Sequence, residues 1–281
     1  MTPDPPEPPR NSPWGRSPAR PRRPLGIPGA LALLGLWTLA TLANAFPGLT
    51  GGVLLAPLPQ ALATIILLTA LAIFRWPDTA LGLPRPGTLR LFWLPLLYLP
   101  LFAAAIVATG GIPAPLLISL TAAMVWVALS EELMFRGLLF PAFRRRLGPW
   151  PAIWLTSLLF GAIHLGNGWT AEMQGLALAQ SLAAVSTGLV LLAMRLRSGS
   201  IWLPMVYHLL WNIGSFGLDM ALTGRGSAPG WLADPDPLVR IAVSLGFVLP
   251  NGLYALWLMR GVARSNLPGD VTGAGSGVGS R

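Results

Sequence analysis

The sequence predicts an all-α fold, a polytopic membrane helix bundle of about eight transmembrane helices. Three observations carry this expectation. The chain is 53% hydrophobic and only 10% charged, where a soluble domain carries about 25% charged residues. Its apolar residues fall in continuous runs of span length. Those runs end at Gly and Pro pairs, which stop helices and form turns.

Composition also removes whole classes of function. The formal charge of +9 comes entirely from arginine, with no lysine in the chain. Because the arginines lie mostly between apolar runs and towards the ends of the sequence, they fit lipid head groups and membrane topology, and no nucleic-acid partner is expected. Cysteine is absent, which excludes disulfides, thiolate nucleophiles and Cys-ligated metals.

Residues 1–24 are dominated by Pro with Arg10, Arg16, Arg20, Arg22 and Arg23, and so poor an apolar content predicts a disordered cytosolic tail. A membrane-embedded domain is expected over 25–260. Its apolar runs lie at about 25–46, 53–74, 89–109, 115–140, 150–165, 174–194, 200–222 and 238–259, and at ~1.5 Å per residue most can cross a ~30 Å hydrocarbon core. Pro47-Gly48, Gly110-Gly111, Gly148-Pro149 and Ser198-Gly199-Ser200 separate runs. Pro95, Pro100, Pro204 and Pro250 inside runs predict kinks, since neighbouring helices satisfy the freed carbonyls. The Gly- and Ser-rich residues 261–281 are expected to form a flexible tail.

With a cytosolic amino terminus, the inside set of arginines is the N-terminal group, then Arg75, Arg85 and Arg90, then Arg144, Arg145 and Arg146, then Arg195 and Arg197, then Arg260, Arg264 and Arg281. Only Arg225 and Arg240 fall outside. That asymmetry orients every span and predicts an amino terminus in the cytosol; the plasma membrane is the expected location of this multi-pass protein. Trp76, Trp150, Trp202 and Trp231 fall near span ends, as an aromatic belt does.

The fourth run contains Glu131, Glu132 and Arg136. Each charge costs at least a few kcal/mol in lipid unless paired or turned to an internal cavity, so a functional role is their default. Positions four apart share a helix face, which pairs Glu132 with Arg136 and leaves Glu131, rotated by ~100°, to point elsewhere. The bland alternative is a buried ionic lock of all three. The chain's two histidines, His164 and His208, both fall inside runs, with Phe160 four residues before the first and Asn212 four after the second. From the arginine-rich ends of their spans, Glu131, His164 and His208 lie roughly 20, 20 and 12 Å deep, which allows one pocket inside the bundle. A free carboxylate, two imidazoles and a carboxamide suit activation of water and stabilisation of an oxyanion. Glu131, His164 and His208 also form a three-ligand zinc set with an open position. Ser130 and Ser157 lack the context of a nucleophile elbow.

In order and spacing, Glu131-Glu132-Leu-Met-Phe-Arg136, Phe160-Gly-Ala-Ile-His164 and His208-Leu-Leu-Trp-Asn212 resemble the E-E-x-x-x-R, F-x-x-x-H and H-x-x-x-N motifs of the CPBP family, the CAAX protease and bacteriocin-processing (Abi) intramembrane endopeptidases. The segment from Leu81 to Pro86 resembles one common in bacterial members. The resemblance covers about residues 75–222, with the catalytic core at 115–222. It implies a hydrolase acting on peptide bonds of membrane-associated or prenyl- or lipid-modified substrates, with its site open to the cytosolic half. Glu131 and His164 would activate water, His208 and Asn212 would hold the oxyanion or a metal, and Glu132, Arg136 and Phe160 would support them. Family members include bacteriocin-immunity and scaffold proteins, so a non-catalytic membrane protein is the second expectation. A transporter with a buried proton relay is the third, weakened by the lack of internal repeats.

Overall fold

The computed structural model describes residues 25–42, 57–74, 76, 78–167, 171–223 and 237–261. Residues 1–24 and 262–281 of the expected tails, together with Pro47-Gly48, Arg75, Arg225 and Trp231, lie outside the described residues. Among those described, eight helical rods form and no strand does: α1 Ile27–Leu42, α2 Leu58–Ile73, α3 Trp93–Ala108, α4 Ala114–Leu147, α5 Pro149–Ile163, α6 Ala171–Ser198, α7 Trp202–Thr223 and α8 Pro237–Met259. They coincide with the eight apolar runs.

Four of the rods are long and apolar enough to cross a membrane by themselves, within Thr88–Ala108, Ala114–Leu147, Ala177–Ser198 and Ile241–Met259. The shortfall in the others has local causes. α1 and α2 have 16 residues each, about 24 Å of helix. α5 stops at 15 residues because the chain tightens into a 3-10 turn at His164–Asn167. α7 has 22 residues but spends His208, Asn212 and Asp219 on polar groups. Bundle and apolarity together make this an integral membrane protein.

α6 is the central rod and packs most extensively on α8 and α5. Close approach to α5 rests on two glycines. Gly161 on α5 leaves room for the Ser181 carbonyl and Val185, and Gly188 on α6 leaves room for Ser157. In lipid, where apolar area gives helices no reason to associate, such small residues let backbones meet and gain dispersion energy.

Consecutive rods run in opposite senses, and side-chain-to-backbone bonds gather alternate ends on one side of the bundle. Arg145 donates to the Leu25 carbonyl at 3.0 Å, joining the end of α4 to the start of α1. Arg195, near the end of α6, donates to the Asp78 carbonyl beyond α2 at 2.6 Å. Arg197 bonds the Leu258 carbonyl near the end of α8. This is the arginine-rich end that the sequence marked out.

On that end, residues 78–87 dock over the α6–α7 turn. Arg85 N–H donates to Ser198 O at 2.9 Å and Ile201 N–H to Ala80 O at 2.9 Å. Ser200 Oγ reaches Gly82 O at 2.6 Å, and Trp202 Nε1 reaches Leu81 O at 2.8 Å. Ser198, Ser200 and Ile201 are fully buried as a result. The turn into α7 is therefore covered by this segment, while Trp202, the first residue of α7, remains exposed.

Two expectations about helix regularity change. Pro100 and Pro250 lie inside α3 and α8, but Pro95 and Pro204 stand in first turns, where a missing N–H costs nothing. The middle of α4, Glu132–Leu139, is π-helical, closed by the Phe140 N–H donating back five residues to Phe135 O. Pro141, which cannot donate and whose ring crowds the carbonyl four residues back, follows at once. A π segment is rare and tends to mark a functional site.

Candidate active site

Residues 130–143 of α4 are all buried, and Glu132 and Arg136 have no exposed surface. Unpaired, each charge would cost several kcal/mol. They pair: Arg136 Nη1 donates to Glu132 Oε1 at 2.9 Å, as the i,i+4 spacing predicts. Arg136 Nη2 also reaches Gly188 O at 3.4 Å, and its guanidinium lies 4.2 Å from the Phe160 ring centroid, a cation–π contact strengthened by the dry surroundings.

The same Glu132 oxygen accepts a hydrogen bond from His208 Nδ1 at 2.9 Å. A carboxylate oxygen can only accept, so Nδ1 carries the proton and Nε2 is turned to the other carboxylate. His208 Nε2 stands 3.7 Å from Glu131 Oε2. Adjacent carboxylates thus have different surroundings: Glu132 Oε1 is committed to Arg136 and His208, whereas Glu131, whose Oε2, like Glu132 Oε2, is buried without a hydrogen bond, lines the cavity.

His164 is half-buried at the end of α5, and its Nδ1 donates to the Phe160 carbonyl at 2.8 Å. This fixes the tautomer of the neutral ring and leaves Nε2 with its lone pair. The Phe160 ring explains the spacing of its motif. It makes edge contacts with the imidazoles of His164 at 5.2 Å and His208 at 5.9 Å, and with Phe135 at 5.1 Å. One aromatic side chain holds both histidines and covers Arg136.

Glu131, His164, His208 and Asn212 all line one cavity of about 330 Å³. The four residues singled out for chemistry are brought together; Glu132, Arg136 and Phe160 stand behind them as a buried frame. Sequence reading missed the opposite wall, which includes Trp37 and Thr38 of α1, Gln60 of α2 and Gln180 of α6. Gln60 accepts from Ser130 Oγ at 2.5 Å across the α2–α4 contact. Gln60, polar with Thr64 and Thr69 in an otherwise apolar run, was the available signal.

Among the described residues no three His, Asp or Glu side chains are placed to hold a metal ion. Glu131, His164 and His208 share the cavity wall without forming such a set. The arrangement holds a free carboxylate, an imidazole lone pair, an imidazole anchored by a second carboxylate, and a carboxamide around a polar chamber.

Residues 112–214 match the model of a family described as Rce1-like, Type II CAAX prenyl endopeptidase. No curated protein and no solved structure matches the chain. The matched segment runs from the start of α4 to the middle of α7 and contains all seven motif residues, in agreement with the resemblance drawn from the motifs. α1 and α2, which supply the opposite cavity wall, lie outside it.

Proposed function

We propose, from the premise that residues 112–214 carry an Rce1-like domain, that the protein is an intramembrane endopeptidase. It hydrolyses a peptide bond of a membrane-associated or lipid-modified protein or peptide. One observation carries this reading: Glu131 Oε2 is buried, lacks a hydrogen bond and faces a chamber shared with two imidazoles and a carboxamide.

In this mechanism a water molecule lies against Glu131 Oε2 and the lone pair of His164 Nε2, which orient it as acceptors. Glu131 takes one proton as the water oxygen bonds to the scissile carbonyl carbon. The oxyanion forms beside the Asn212 carboxamide and His208 Nε2–H, which stabilise charge present only in the transition state. Collapse breaks the C–N bond, and Glu131 returns the proton to the leaving nitrogen. Glu132, Arg136 and Phe160 act through His208 and His164 by fixing their positions.

The arginine asymmetry supports a cytosolic amino terminus, and the plasma membrane is the proposed location. The test is cleavage of a quenched fluorescent lipopeptide by purified protein in ¹⁸O-labelled water. The reading expects ¹⁸O in the new carboxyl terminus and no cleavage by Glu131→Ala. Absence of cleavage across a lipopeptide library, with a partner protein stabilised equally by wild type and Glu131→Gln, establishes the non-catalytic immunity or scaffold role instead.

A further inference from the structure

Gln60 stands in the first turn of α2, is 7% exposed and lines the cavity. A carboxamide has one acceptor oxygen and two N–H donors. The oxygen is satisfied, since Oε1 accepts from Ser130 Oγ at 2.5 Å. Ser130 is fully buried on α4, one residue before Glu131. Because the amide is planar, anchoring Oε1 on Ser130 also fixes the direction of Nε2. Among the described residues Nε2 donates to no partner.

The other polar side chains that α1 contributes to this wall sharpen the contrast. Thr38 Oγ1 donates to Leu34 O at 2.8 Å and Thr41 Oγ1 to Thr38 O at 3.1 Å, so both hydroxyl protons are spent within α1. Trp37 lines the cavity too, and its Nε1–H, which can only donate, is buried without a partner. The α1–α2 wall therefore has N–H donors to spare, while α4 and α5 bring the acceptors Glu131 Oε2 and His164 Nε2 to the same chamber. A ligand seated there must present an oxygen to α2. A peptide does so of necessity: along an extended chain successive carbonyls point to alternate sides. With the scissile carbonyl turned to Asn212 and His208, its neighbour faces the other wall.

We propose that Gln60 is a substrate-binding residue, its Nε2–H donating to the main-chain carbonyl next to the scissile one, and that Ser130 is the positioning residue that holds the carboxamide in that orientation. The inference rests on the peptidase reading for the identity of the ligand. It extends the site to α2, outside residues 112–214. A neighbouring carbonyl does not change charge during the reaction, so this bond is equally strong in ground and transition states and acts on KM rather than kcat.

The test uses the full chain and the quenched lipopeptide. Gln60→Met keeps the length of the side chain and removes both donors, and the Ser130 hydroxyl still has the Val127 carbonyl at 3.2 Å as acceptor. KM should rise about tenfold, the worth of one neutral hydrogen bond, at the kcat and unfolding midpoint of the wild type. Ser130→Ala, which frees the carboxamide to rotate, should raise KM about threefold alone and have no further effect in Gln60→Met. Should Gln60→Met fail to fold, the KM of Ser130→Ala decides alone. An unchanged KM, or a fall confined to kcat, overturns the inference and leaves the peptidase reading standing. Binding is read separately in Glu131→Gln, where adding Gln60→Met should weaken affinity for the uncleaved lipopeptide by the same factor as KM. That loss of affinity in a protein whose wild type cleaves no lipopeptide would remove the peptidase reading and keep Gln60 as a ligand contact.

Discussion

Glu132 Oε1 lies 2.9 Å from His208 Nδ1, a hydrogen bond between side chains 76 positions apart that fastens α4 to α7 inside the bundle. The same oxygen neutralises Arg136, so removing it leaves a guanidinium buried without its counter-charge. Breaking one partner of a buried pair costs about 3–5 kcal/mol. Glu132→Ala should therefore lower unfolding stability in detergent by that amount, and a loss below about 1 kcal/mol would mean that the pair does not hold the frame.

Gly161 separates Phe160 from His164 and faces α6. An added Cβ would stand 2.7 Å from the Ser181 carbonyl and closer still to a Val185 methyl, and backbone cannot yield as a side-chain tip does. Overpacking of this kind costs about 1–3 kcal/mol. Gly161→Ala should show that loss in thermal unfolding, while Gly166→Ala, whose Cβ meets nothing, should keep the wild-type midpoint.

Asn212 lines the chamber and is assigned to charge that forms only during reaction. Losing one oxyanion donor costs about a hundred- to a thousand-fold in turnover. Asn212→Ala should lower kcat by that factor with KM little changed. A raised KM at unchanged kcat would show that the carboxamide holds substrate in its ground state instead.

The eight rods were legible because apolar runs and their Gly–Pro boundaries are local signals; Gly148, with φ of 79°, ends α4 where the sequence marked a turn. The Glu132–Arg136 pair was legible because i,i+4 spacing survives the π-helical stretch. The docking of residues 78–87 over the α6–α7 turn was not, because the bond from Ser200 Oγ to Gly82 O joins residues 118 positions apart. Gln60 escaped notice for a related reason: its partner Ser130 is 70 positions away, and no periodicity reports on such a contact. The π segment leaves no hydrophobic pattern of its own.

No three His, Asp or Glu side chains are placed as metal ligands among the described residues, and the steps proposed use Glu131 as the base. Protein purified without a histidine tag and stripped by chelator should keep its turnover. Loss of activity restored by zinc at stoichiometric amounts would replace the carboxylate mechanism with a metal one.

The most direct measurement of the central claim is single-turnover cleavage of a quenched lipopeptide by Glu131→Gln, which keeps the shape of the side chain and removes its basicity. General-base loss is worth about a hundred- to ten-thousand-fold. The account predicts a rate lower by that factor, with the unfolding midpoint and lipopeptide affinity of the wild type. Cleavage at the wild-type rate would contradict it.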